Sequence, residues 1–466
     1  MKAKILTYSV FIAMTLLLVF SAMVMPMTPE HGYYTALAKY MAEGLVPYND
    51  FYTMDTPVGI GIYSLLYRVA GVGASTYLSN VLIVFANLMN MLLMAKLMRR
   101  LKVSSIFIPA GVLFYFVMCY SSDALHMNME SIAMTFMLSA CLLMMKRKKL
   151  YCIVSALLIA LAVGCKAQCM VMLPATLLFV AIKGKKNKID IENSILLMAC
   201  AIAFAFAGYT AIALISNNPD WWENIKWSIE KHPYYNEISC REELTYLVIQ
   251  SARCGLIFFL LLPFVWKKMS HYGRRCAVIG IVATMCYFTL FIFGVEVSHG
   301  MFLYPFVVLS LMHMMQAINK RWVAATLSII LLSVPTALCI RELLKFGNGA
   351  ARNEIDEELA IVKDIMQKPG KAVMLIDSEL EYYVGPQIFS ECPHVKPVVI
   401  GNGSLGFRNS YKESDYFVAN MHEADYIIIN DQAFSGLMLR KERHVIGDKI
   451  ENMNCIGTQS IIIYEK

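Results

Sequence analysis

Charge is scarce in this sequence: Asp, Glu, Lys and Arg make up 16% of its 466 residues, where soluble domains carry roughly a quarter. The shortage is matched by 58% apolar residues and a mean hydropathy of +0.55, which excludes an ordinary soluble globule. None of the 13 cysteines forms a CxxC pair, so zinc-ribbon, iron–sulfur and thioredoxin-like chemistry has no support. Cys392 and Cys455, away from the apolar runs, are either two free thiols or a pair joined in an oxidising compartment. No Gly-Lys-Ser/Thr is present at GNGSLG, Gly401 to Gly406, so that run reads as a turn and not as a phosphate loop. No basic face exists either. The +7 charge is split into short clusters between apolar runs, which excludes nucleic acid as a partner and makes each cluster a topology anchor.

What the sequence has in quantity is long apolar runs. They lie near 5–25, 76–95, 103–120, 128–145, 150–165, 169–182, 193–215, 244–266, 276–294, 301–318 and 322–340, giving about eleven candidate spans. A bilayer core about 30 Å thick needs about 20 apolar residues per helix, so the two short runs flanking Lys166 are expected to be tilted or bent together. The run after Lys2 and Lys4 is too long for a signal-peptide core and lacks a clear small-residue cleavage site, so it reads as an uncleaved first span. Placing the N-terminus inside puts Lys96 to Lys102, Lys146 to Lys149, Lys183 to Lys188, Lys267 to Arg275 and Lys320/Arg321 all on the cytoplasmic side. An odd number of spans then puts the end of the chain outside. The expectation is a mainly α, polytopic inner-membrane protein: a multi-span domain over 1–345, and a small extracytoplasmic α/β domain over 346–466.

The first outer loop, 26–75, is expected to hold two interfacial helices. Gly32 to Glu43 sets Tyr34, Leu37, Ala38 and Met41 on one face with Lys39 and Glu43 off it, and Gly44 and Pro47 end it. Pro57 to Ala70 is too short to span and carries Arg68, so it reads as re-entrant or interfacial. Trp221, Trp222 and Trp227 suit the headgroup level. In the terminal domain, strands are expected at Ala372 to Ile376, Lys396 to Ile400, Asp425 to Asn430 and Ile461 to Tyr464, with a helix over Ser414 to Ala424.

Charges at membrane depth cost about 2.5–3.5 kcal/mol on insertion scales, so each is a functional candidate. The outer-facing set is Glu30, Asp50, Asp55, Arg68, Asp123, Glu130, Lys166, Arg253, Glu296 and His299. Carboxylates there can take a proton from an acceptor, and cations can neutralise a phosphate leaving group. Each has a plainer alternative: Glu30 as a helix cap, Asp50 as a turn residue, Glu130 as an interhelical hydrogen-bond partner, His299 as a headgroup-level residue, and Lys166 and Arg253 as snorkelling cations.

The run PEHGYYTALAKYMAEGLVPYNDFYTMDTP, Pro29 to Pro57, resembles the opening loop of the membrane C-type glycosyltransferases, which include protein O-mannosyltransferases and lipid A aminoarabinose transferases. The matching positions are Glu30, Gly44, Pro47, Tyr48, Asp50, Phe51 and Pro57, with looser support from Glu130, Lys166 and the run Phe302, Tyr304, Pro305. Where relatives often carry Asp-Glu, this chain has Glu30-His31, so a metal site built on two acids is not expected, and no cofactor or obligatory metal is. The resemblance implies transfer of a sugar from a polyprenyl-phosphate donor to a lipid, polysaccharide or protein acceptor on the outer face. It implies Glu30 and Glu130 as catalytic candidates and Tyr48, Asp50, Arg68, Lys166, Arg253, His299 and Tyr304 as substrate-binding candidates. The alternative is a flippase for a lipid-linked glycan, although no internal repeat of the transporter kind is present.

Overall fold

The fold comes from a computed structural model. It describes residues 2–24, 29–121, 128–181, 191–216, 251–289, 300–347, 350–377, 394–400, 420–430 and 447–466, except 49, 52, 54, 147, 319, 320 and 458–460, together with 221–223, 225, 245, 248–249, 388 and 392. The chain forms two compact units, one of Met1–Met23, Ile83–Ala207 and Tyr234–Lys345, the other of Val24–Leu82, Gly208–Pro233 and Phe346–Lys466.

The first unit is helical. Its elements are α1 (Lys2–Val24), the second part of α3 (Pro57–Arg100), α4 (Phe107–Tyr120), α5 (Glu130–Met144), α6 (Lys149–Cys165), α7 (Leu173–Ala181) and most of α8 (Ile191–Ser216). After the short α9 (Leu262–Val265) come α10 (His271–Thr289), α11 (Gly300–Ala317) and nearly all of α12 (Arg321–Gly347). Among the described residues, four helices are long and apolar enough to cross a membrane: Gly73–Arg100, Glu192–Ile215, Gly300–Ala317 and Trp322–Arg341. Large apolar side chains such as Ile12, Leu16, Ile202, Phe206, Ile329 and Ile330 are exposed, as on helices whose solvent is lipid and not water.

The centre of this unit is α11. Every one of its residues except Gln316 is buried, as expected of a helix that is apolar on all sides. Glycine lets α10 approach it closely. A Cβ on Gly280 would collide with Ser310 Oγ, and that hydroxyl is held between two acceptors, Cys276 O at 2.6 Å and Phe306 O at 2.8 Å, which share its one proton. Gly280→Ala therefore forces the two helices apart or strands a hydroxyl, and is expected to destabilise the protein by about 1–3 kcal/mol. Thermal unfolding in detergent, with Gly208→Ala as the uncrowded control, measures it.

In the second unit, α2 (Pro29–Ala42) ends as the sequence predicts, at Gly44 with φ 97°. Leu45 N donates to Tyr40 O at 3.0 Å and Gly44 N to Met41 O at 3.2 Å, the paired bonds of a Schellman terminus, which favours glycine because an L side chain is strained there. The surroundings of α2 differ from a half-exposed interfacial helix. All residues from Tyr33 to Tyr40 are buried, Lys39 included, although the periodicity sets Lys39 off the apolar face. The next helical segment starts at Pro57 and breaks at Gly71, whose φ of 75° and ψ of 168° are not helical, and this break separates the anticipated short segment from the long span that follows it.

The rest of this unit holds α13 (Ala350–Met366) and strands β1 (Ala372–Asp377), β2 (Lys396–Ile400), β3 (Tyr426–Asn430), β4 (Asn454–Gly457) and β5 (Ile461–Glu465). The sheet order is β2-β1-β3-β5-β4, with β1 parallel to β2 and β3, and β5 antiparallel to β3 and β4. The central strands β1 and β3 read AVML and YIII, continuous apolar runs that are buried, as strands covered on both faces require. Two elements were not anticipated: β4, short and largely exposed, and α13, which buries Leu359, Val362 and Ile365. The segment Gly401 to Gly406 and most of Ser414 to Ala424 lie outside the described residues; 420–423 are helical.

Candidate active site

Glu130 opens α5, and its side chain is enclosed. Lys166 sits where α6 stops and a 3-10 turn, Ala167–Met172, begins; its φ of −151° and ψ of 114° are extended, so the chain bends at this residue before α7. The bend carries the side chain to Glu130, with Lys166 Nζ 3.4 Å from Glu130 Oε1 and side chains only 9% and 2% exposed. Two charges singled out separately in sequence thus meet as a buried ion pair. Such a pair holds its geometry strongly, because removing either partner leaves an uncompensated buried charge and costs about 3–5 kcal/mol.

The start of α5 is tied to α3 by a buried polar network that sequence reasoning did not single out. Asn90 Nδ2 donates to Ser131 O at 2.9 Å, Thr135 Oγ1 to Asn90 Oδ1 at 2.9 Å, and Ser131 Oγ to Asn87 Oδ1 at 3.3 Å. Ser131 N donates to Asn128 Oδ1 at 2.9 Å, which satisfies one of the free amides at the helix N-terminus. The available signal was Asn87 and Asn90, three residues apart on one face of an otherwise apolar helix. Hydrogen-bonded polar residues of this kind fix helix register in lipid. Arg253 and Tyr304 are also buried in this unit, Tyr304 against Gly300 at the start of α11.

The first-loop candidates belong to the other unit. Glu30 lies in the first turn of α2, where the helix dipole favours a carboxylate. Tyr48 is buried and held at φ 63°, unusual for a bulky residue. That conformation is held on several sides: Tyr48 N donates to Phe51 O at 3.0 Å, its hydroxyl to Asp55 O at 2.7 Å, and its ring stands edge-on to Trp221 with centroids 5.8 Å apart. Trp221, read from sequence as a headgroup-level ring, is instead fully buried, with Nε1 donating to Pro47 O at 2.9 Å. Asp50 accepts from Val46 N at 2.8 Å and donates its own N–H to Val46 O at 2.9 Å, the turn-closing arrangement. Arg68 Nη2 donates to Met41 O at 2.8 Å, adding a cation at the C-terminal end of α2, where the dipole favours one. His299, Asp123 and Glu296 lie outside the described residues. Among the described residues no group of three or more His, Cys, Asp or Glu side chains could hold a metal ion.

No family model matches the chain, and no curated protein matches it in sequence. Solved structures do match its fold. ArnT from Cupriavidus metallidurans bound to undecaprenyl phosphate aligns with a TM-score of 0.60 at 10% identity, over 98% of this chain and 97% of ArnT. The same enzyme in its apo state aligns at 0.61, with the same identity and coverage. An oligosaccharyltransferase from Archaeoglobus fulgidus aligns more loosely, at 0.49 and 11% identity over 91% of this chain and 69% of its own. The chain has the fold of the membrane C-type glycosyltransferases, the class its first loop resembles. The likeness of fold to ArnT covers nearly the whole length of both chains.

Proposed function

We propose that the protein is an inner-membrane glycosyltransferase that takes a sugar from a polyprenyl-phosphate donor and passes it to an acceptor on the outer face. The observation that carries this reading is the buried Lys166–Glu130 pair at 3.4 Å, set in a fold shared over nearly its whole length with an enzyme crystallised with undecaprenyl phosphate. In this reading the eleven apolar segments are spans, and residues 346–466 form the extracytoplasmic domain.

The acceptor's hydroxyl or amine gives its proton to the Glu30 carboxylate and attacks the anomeric carbon. The bond from that carbon to the phosphate oxygen breaks, its electron pair stays on the oxygen, and polyprenyl phosphate leaves. Lys166 and Arg253 hold the phosphate as this charge develops, the kind of electrostatic stabilisation that is worth most where water is excluded. Glu130 acts through Lys166, keeping the ammonium in place when the donor is absent. Tyr48 and Asp50 shape the loop after α2, and Arg68 closes that helix.

Donor binding tests the phosphate assignment. Undecaprenyl phosphate binding to the purified protein, followed by native mass spectrometry, is expected to weaken about tenfold or more in Arg253→Gln, which loses a charge-assisted contact worth about 1.5–3 kcal/mol. Wild-type affinity in that variant, with its fold intact, would make Arg253 a structural residue.

A further inference from the structure

The terminal sheet has no role in the reaction as written, yet it is packed against the helix that carries Glu30. Helix α2 lies against β2, the edge strand, and against β1. Ala36, Leu37 and Ala38 are completely buried and Tyr40 nearly so, which together cover more than half the circumference of the helix. Among them sits Lys39, whose Nζ donates to the carbonyl of Val395, the residue that leads into β2, at 3.4 Å. Burial pushes the pKa of this ammonium down, opposed by Glu43 one turn along the helix and reinforced by Lys396.

A lysine is an expensive choice for such a position. Packing alone would be served at lower cost by Met or Leu, because a buried ammonium loses its hydration and needs a partner in the right place. What the ammonium supplies and a methyl group does not is direction: it accepts only an orientation of α2 that brings Nζ to the Val395 carbonyl.

We propose that the terminal sheet is the mount of the first loop, with Lys39 the positioning residue that seats α2 on β1 and β2 and so sets where Glu30 stands. The seating is independent of the transferase reading; only the consequence for Glu30 rests on it.

Hydrogen exchange of the full-length protein in detergent tests the seating without any assay of activity. Lys39→Glu turns a carboxylate toward the Val395 carbonyl and toward Glu43. Exchange is expected to rise about tenfold or more over 33–42 and over 396–400 together, while α10 and α11 keep wild-type protection. Lys39→Met keeps the stem and removes the donor, and is expected to raise exchange in the same two segments to a smaller degree, so the test survives if the glutamate variant fails to fold. Unchanged exchange over 33–42 in Lys39→Met, or a rise there that leaves 396–400 untouched, overturns the mount. In the transfer reaction both variants are expected to lower kcat while undecaprenyl phosphate binding stays at the wild-type level. Faster exchange in both segments with wild-type kcat would keep the mount and overturn its link to Glu30.

Discussion

Glu30→Gln is expected to lower kcat for sugar transfer by about 10²–10⁴-fold, the contribution of a positioned general base, while undecaprenyl phosphate binding and thermal stability stay near wild type. Gln is isosteric with Glu and as good a helix former, so α2 is expected to keep its position. The charge itself contributes little to folding: a carboxylate in the first turn of a helix is worth about 0.3–1 kcal/mol. The two roles open to Glu30 therefore separate cleanly. A base loses nearly all turnover on this change, whereas a carboxylate that only complements the helix dipole loses about 0.3–1 kcal/mol of stability and no turnover. Measuring kcat and the unfolding midpoint on the same preparation distinguishes them. Glu30→Asp adds a control, since it keeps the acid but shortens its reach, and is expected to fall between wild type and Glu30→Gln.

The second large effect is expected from the buried pair. Lys166→Met takes the ammonium away from the buried Glu130 carboxylate, and Glu130→Leu takes the carboxylate away from the buried Lys166 ammonium. Each single variant is expected to cost about 3–5 kcal/mol. The double variant Glu130→Leu/Lys166→Met replaces both charges with apolar groups and is expected to recover most of that loss, since a well-packed apolar replacement is often neutral or stabilising. Donor binding is expected to behave differently: it falls in every variant lacking Lys166 and is not restored in the double variant. Stability restored with binding still absent is the signature of a pair whose lysine serves the phosphate. Restored stability together with restored binding would make the pair purely architectural. Additive losses in the double variant would show that the two side chains do not interact.

Most helical segments were legible because apolar runs and basic clusters are local signals; the run expected to span over 244–266 was not, since its described part is broken by a turn at Gly255, a 3-10 stretch Leu256–Leu261 and the short α9. The sequence also marked the stop of α2 at Gly44, the bend at Lys166 and the short segment before the break at Gly71, where one glycine or one charge interrupts an apolar run. Strands β1, β2, β3 and β5 were legible from β-branched runs. Strand β4, NCIG, was not, because it is short and exposed and takes its conformation from pairing with β5. Glu130 and Lys166 were each visible as charges in apolar surroundings, but their pairing was not. It depends on α5 packing against α6 and on the extended backbone at Lys166, neither of which leaves a local pattern. Lys39 was misread for a related reason: periodicity finds one apolar face, whereas every residue of α2 from Tyr33 to Tyr40 is buried, in part by strands distant in sequence.

The measurement that tests the central claim most directly is sugar transfer by the purified protein in liposomes supplied with undecaprenyl-phosphate-linked sugars and envelope extract as acceptor, comparing wild type with Glu30→Gln. The expected result is a glycosylated acceptor and free undecaprenyl phosphate with the wild-type protein, and neither with Glu30→Gln. Donor that crosses the bilayer with its sugar still attached, in both proteins alike, would contradict a transferase and show a flippase.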